Sequence, residues 1–182
     1  MDAAATITNT VYIKTSAARL WKALTDGNES VQYVGARVQS TWRVGDRIQY
    51  LTPDGTRPLI EGKLLEVVPD TRFVFECRLL FDPVLAADGL HREMFEIEQV
   101  TEDICRCTAT FDHYPPNSPA FHFQNQGSMQ KCGSSLKSLL ETGHALDFPL
   151  PGPPPSALEA NPEACLTHFP ATVSSKHEPR SK

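Results

Sequence analysis

The sequence predicts an α+β fold in which an antiparallel sheet of about six to seven strands curves around one long C-terminal helix. Three observations predict it. From Ala36 to about His113 the chain reads as β-rich runs separated by short turns, and strands joined that tightly pair antiparallel rather than through crossovers. After Pro115-Pro116 the apolar spacing changes to a helical period. Beyond Asp147 the prolines at 149, 151, 153, 154, 155, 162, 170 and 179 break any regular element.

The first element is a strand over Thr6 to Lys14, where Ile7, Asn9, Val11 and Ile13 alternate with Thr6, Thr8, Thr10 and Tyr12. Ser16 then caps a helix whose apolar face is Ala17, Leu20, Trp21 and Leu24, and which ends at Asp26-Gly27-Asn28. A short second helix spans Glu29 to Val34 and stops at Gly35. The strand runs that follow are VGDRIQYL, Leu59 to Val68 and RFVFECRLL, divided by the turns PDG and PDT. Asp82 to Gly89 reads as a longer loop, and Glu93 to Val100 pairs with Ile104 to His113 around TED. From a cap at Ser118, one helix carries Phe121, Met129, Cys132, Leu136, Leu139 and Leu140 to about Thr142 and stops at Gly143. The organisation is therefore one domain over residues 1–146 and a Pro-rich tail over 147–182, extended or disordered.

Composition narrows the function classes. The chain has 182 residues, 40% of them hydrophobic, enough for one substantial core. Its net charge of -5 is spread over interspersed acids and bases. No basic run could neutralise successive phosphates, so nucleic acid is not an expected partner. No stretch approaches the roughly 20 apolar residues of a membrane span, and the N-terminus has neither a basic nor an apolar leader segment. A cytoplasmic location is expected, with the five cysteines as reduced thiols. Cys105 and Cys107 share a strand face, but no second ligand pair stands at metal spacing, so neither a metal nor a cofactor is expected.

Four segments resemble one known family: VYIKTSAARLWKALTD, VGDRIQY, GKLLEVVPDTRFVFEC and LKSLLETG. In this order and spacing they are similar to the SRPBCC (START-like) superfamily, in the branch of activator of heat-shock-protein-90 ATPase homologues, over roughly residues 6 to 146. The resemblance implies a helix-grip fold like that of Bet v 1 and the polyketide cyclases, with an apolar cavity between sheet and long helix. It also exposes departures. Tyr33 and Cys77 stand where the family tends to carry Trp, Ser128-Met129 replaces a Gly-Trp pair, and Gly133 replaces an inner Leu. Smaller side chains there either enlarge a pocket over Phe73, Phe75 and Cys77 or are refilled by phenylalanines elsewhere.

No catalytic signature is present: no nucleophile elbow, zinc-protease motif, phosphate loop or dinucleotide fingerprint. Any chemistry must come from isolated polar groups among apolar walls. Glu93 shares a strand face with Phe95 and Ile97. Buried and paired, it would suit general acid or base work; at the strand's open end it would sit in water, and that reading is preferred. His113 continues the row of Cys105, Cys107, Ala109 and Phe111, and His91, His122 and Tyr114 lie near the same loops. Histidine moves protons readily near neutral pH. Tyr33 completes the catalytic candidates, and Arg78 reads as exposed. The expected ligand contacts are Tyr50, Phe73, Phe75, Cys77, Phe95, Ile97, Phe111, Met129, Gly133 and Leu136. Glu141 reads as a solubilising helix-end residue.

The leading expectation is binding of a hydrophobic small molecule, a lipid, polyketide or other secondary metabolite. The alternative is a tailoring enzyme, a cyclase, hydrolase or isomerase using acid/base catalysis, since fold alone does not choose between them. A co-chaperone is the third reading. The chain has no room for the additional N-terminal domain of the eukaryotic activator, so the family name is expected to reflect shared fold.

Overall fold

The structure is a computed structural model that describes residues 5–147. The expected proline-rich tail lies outside the described residues, apart from Asp147 at its start. The elements in chain order are β1 (Ile7–Lys14), α1 (Ala17–Thr25), α2 (Gly27–Val34), β2 (Arg37–Ser40), β3 (Arg47–Leu51), β4 (Pro58–Val68), β5 (Arg72–Leu79), α3 (Pro83–Ala87), β6 (His91–Gln99), β7 (Ile104–Asp112), α4 (Pro119–Gln124) and α5 (Ser128–Thr142). The strands form one seven-stranded sheet in the order β1-β7-β6-β5-β4-β3-β2, antiparallel throughout. The meander of β2 to β7 is thus extended by the N-terminal strand, which pairs with the last one, Ile7 opposite Phe111 and Ile13 opposite Cys105.

Local chemistry sets the helix ends. Ser16 Oγ accepts the Arg19 N–H at 3.2 Å to open α1. Asp26 closes that helix and caps the next, its carboxylate accepting the Asn28 N–H at 2.7 Å. Gly35 ends α2 at φ 69°, a conformation that favours glycine. Ser30, fully buried, then staples α2 to β2: its hydroxyl donates to Ala36 O and accepts from Val38 N, both at 2.9 Å.

The inward rows are those the alternation predicts. Phe73, Phe75, Cys77 and Leu79 on β5, His91, Glu93, Phe95 and Ile97 on β6, and Cys105, Cys107, Ala109 and Phe111 on β7 face α1, α2, α4 and α5. Burying these apolar groups is the main favourable term in the fold. Trp21 of α1 stands edge-on to Phe73 with ring centroids 5.7 Å apart, and Trp42 joins them at 5.2 Å from Phe73. Phe73 therefore lies under two tryptophans rather than under open space.

Three details differ from expectation. The loop over Asp82 to Gly89 contains α3, because the Asp82 side chain accepts the Val84 and Leu85 N–H groups and Pro83 presets the first turn. The helix expected from Ser118 to Thr142 is two helices, broken where Gly127 takes φ 91°. Glu141 does more than keep a helix end soluble, for its Oε1 accepts the Lys14 N–H at 2.8 Å and the Lys137 ammonium at 2.6 Å. Lys137 also donates to Tyr12 O at 2.6 Å, so α5 is tied along β1. Among the described residues no helix is long and apolar enough to cross a membrane.

Candidate functional site

The polar groups that the alternation points inward meet at one end of the sheet. Register places His91 directly opposite Cys77 and Glu93 opposite Phe75, so all four lie on adjacent strands and on one face. His91 Nε2 is 3.1 Å from Glu93 Oε1 and 3.6 Å from Cys77 Sγ. From the segment beyond β7, Gln124 Nε2 donates to Glu93 Oε1 at 3.0 Å, and the Tyr114 hydroxyl donates to Gln124 Oε1 at 2.6 Å. The Tyr114 ring stacks on His91, centroids 4.8 Å apart and nearly parallel.

Glu93 is therefore not in water at the strand's open end: it is 4% exposed, His91 2% and Gln124 6%. The cause lies in α3 and α4, which cover that end. Leu79, Leu85, Ala120 and Phe123 form a small apolar cluster there. The Asp88 carboxylate holds the two helices together, accepting the Ala120 N–H at 3.0 Å and the Ser118 hydroxyl. A carboxylate enclosed this way needs a partner, and among the described residues no Lys or Arg reaches it.

Acid-base character divides the site. Burial, with the Glu93 carboxylate nearby, pushes the Cys77 thiol well above its ordinary range. Burial likewise pushes the Cys107 thiol up to about 12 and the Cys132 thiol up to about 11. Tyr33, Tyr50 and Tyr114 are all raised, by burial first. At neutral pH these groups stay protonated, so the thiols are poor nucleophiles and the tyrosines act as hydrogen-bond donors. A Cys-His-Glu nucleophilic triad is also excluded by geometry. Such a triad needs the nucleophile and the carboxylate on different imidazole nitrogens, and here both approach Nε2.

The expected site residues separate into three groups. Glu93 and Cys77 lie in the buried polar cluster. Tyr50, Phe75, Phe95, Ile97 and Leu136 face the interior next to it, where burial first and then neighbours including the Glu93 carboxylate hold the Tyr50 hydroxyl protonated. Tyr50 is 8% exposed, and its ring lies 6.3 Å from that of Phe75. Phe111 and Met129 form a separate cluster with Ile7 and Ala109.

Three placements correct the sequence reading. His113 does not continue the β7 row: the strand ends at Asp112, His113 turns the chain at φ 58°, and its side chain is exposed. Tyr33 spends its hydroxyl on Ala23 O at 3.3 Å. Gly133 opens no space over Phe73, Phe75 and Cys77, because a Cβ there would meet Asn9 Nδ2 at 2.6 Å and Val11 Cγ1 at 3.3 Å on β1. The glycine serves close approach of helix to strand. Sequence reasoning missed Gln124 as a site residue; a polar residue on a short helix carries no signal of burial.

The comparisons agree with this architecture. The solution structure of the Aha1 dimer from Colwellia psychrerythraea superposes with a TM-score of 0.59 at 17% identity, covering 76% of this chain and 97% of that one. Protein Ms6760 from Mycobacterium smegmatis gives 0.63 at 16% identity, covering 78% and 93%. DynU16, from the dynemicin biosynthetic locus, gives 0.62 at 15% identity, covering 80% of this chain and 51% of DynU16. At such identities the likeness shows the fold. No curated protein matches the sequence. The family profile, however, covers residues 14–141, more than two thirds of the sequence, and the chain belongs to the activator of Hsp90 ATPase homolog 1-like proteins.

Proposed function

We propose that the protein binds an apolar small molecule, with an oxygen-bearing end, on the inner face of the sheet beneath α5. The observation that carries this reading is Phe95. Its ring stacks 4.9 Å from Phe73 on a strand flanked by β5 and β7, yet it stays only partly buried while Phe73 and Phe75 beside it are sealed. An aromatic ring in mid-sheet under helices is sealed when the layers close, so residual exposure there supports an opening to the interior. The buried Tyr50, which belongs to the same core, would donate its hydroxyl to the ligand's oxygen. The fold of DynU16, from a biosynthetic locus, makes secondary metabolites one class to test.

A second reading, a tailoring enzyme working by acid/base catalysis, is favoured by the buried His91–Glu93 pair, whose polar atoms lie 3.1 Å apart. Native mass spectrometry of the full chain and titration with an apolar fluorescent probe test the binding reading. A saturable one-to-one uptake is expected, weakened in Phe95→Ala. With an oxygenated ligand, Tyr50→Phe should weaken binding roughly two- to tenfold. Bare protein and no saturable uptake would sink the proposal, and a stable complex with a large ATPase would favour the co-chaperone reading instead.

A further inference from the structure

The Cys77–His91–Glu93 cluster carries more than a hydrogen-bond network. One imidazole nitrogen faces both the thiol and the carboxylate. If Nε2 bears a proton it donates to Glu93 and cannot accept from the thiol. If it is bare, its single lone pair serves only one of two neighbours. With Nε2 protonated, imidazole and thiol can both donate to the Glu93 carboxylate, which holds the metal-free cluster together.

The same three donor atoms also converge as the ligands of one cation would. We infer that Cys77 Sγ, His91 Nε2 and Glu93 Oε are ligands of a divalent transition metal of the zinc class. The distances fit. Bonds of about 2.0–2.1 Å to nitrogen and oxygen and about 2.3 Å to sulfur, at tetrahedral angles, separate N from O by roughly 3.3 Å and S from N by roughly 3.6 Å. The observed separations are 3.1 Å and 3.6 Å, and the three donor atoms all lie within 4.8 Å of one another. Two of the ligands pair directly across β5 and β6 and the third is two residues along, so the sheet itself holds them.

Charge and softness choose the metal class. On binding, the Cys77 thiol loses its proton to solvent and becomes a thiolate. Thiolate, carboxylate and neutral imidazole then balance a divalent ion, leaving a neutral site in an interior where, among the described residues, no Lys or Arg approaches Glu93. A thiolate ligand disfavours magnesium and calcium and suits zinc. Gln124 and Tyr114 then act as outer positioning residues: Gln124 orients the carboxylate, and Tyr114 holds both Gln124 and the imidazole plane. Among the described residues no fourth His, Cys, Asp or Glu joins the three, which leaves a coordination position for water or a ligand oxygen.

The test uses the reduced, untagged full chain with Zn²⁺ and Co²⁺ as probes. One metal per chain should survive extensive dialysis. Bound Co²⁺ should show the intense visible bands of a tetrahedral site together with a thiolate charge-transfer band in the near-ultraviolet. Cys77→Ser should abolish that band, and Gln124→Ala should weaken affinity by about 10- to 100-fold while keeping it. Substoichiometric retention, bound cobalt lacking the thiolate band, or the unchanged band in Cys77→Ser would each overturn the inference. The wild-type spectrum decides even if a variant misfolds. Uptake of the apolar probe is measured separately, so failure of either proposal is seen independently.

Discussion

Replacing Gly133 distinguishes a helix resting on β1 from one roofing an empty pocket. A Cβ at this position would lie 2.6 Å from Asn9 Nδ2 and 3.3 Å from Val11 Cγ1. The first contact is impossible without movement. Asn9 is flexible and its bond to Met129 O is long, 3.5 Å, so swinging its amide away loses little. Ala also restores about 1 kcal/mol of helix propensity, and Gly133→Ala should come out within about 1 kcal/mol of neutral. Leu adds three further carbons between α5 and β1, where Val11 cannot leave. Overpacking then costs roughly 1–3 kcal/mol. At about 2–4 °C per kcal/mol for a chain of this size, Gly133→Leu should melt several degrees lower. Adding Asn9→Ala to Gly133→Ala should show a coupling of roughly 0.5 kcal/mol or more, because the two groups compete for one volume. Paired melting curves and probe titrations measure this. Unchanged melting of Gly133→Leu with lost probe uptake would refute the reasoning and put the pocket where the helix is described as seated.

Two further outcomes follow from particular contacts. Trp21→Ala should cost on the order of 3–5 kcal/mol, because its ring seals Phe73 together with Trp42; normal melting with selective loss of ligand would show that α1 is misplaced. Asp112 is held below the ordinary carboxylate range chiefly by its two hydrogen bonds from Arg92, at 2.8 and 2.6 Å. A lowered folded value means the pair stabilises above the unfolded carboxylate pKa of about 3.9 and is lost as pH falls through the folded one, so Asp112→Asn should remove on the order of 1 kcal/mol near pH 7 and progressively less as the pH falls below about 4. A loss that does not shrink on acidification, by denaturant melts, would contradict this.

Much of the architecture was legible because it rests on local periodicity. The alternation in ITNTVYIK and RFVFECRL, the cap at Ser16 and the glycine at Gly35 fix strands, helix starts and helix ends through contacts between residues close in sequence. The break at Gly127 and the short α3 were harder to read. Pro83 and Asp82 carried a helix-start signal, but a helix of five residues has almost no period to detect.

The inward facing of Glu93 was determined by the sequence itself, since the two-residue period ties it to Phe95 and Ile97. Whether that face met water or protein was not, because Ala120 and Phe123, anchored through Asp88, close the end of the sheet from far along the chain. The same holds for the cluster around Glu93. His91 stands 14 residues from Cys77, Gln124 stands 31 from Glu93, and no spacing rule links them. Only strand register and the fold of α4 over the sheet bring those groups within hydrogen-bond range. Sequence determined which residue types face inward; tertiary closure decided which of them are sealed from water, and burial is what turns an ordinary carboxylate, thiol and imidazole into a candidate site.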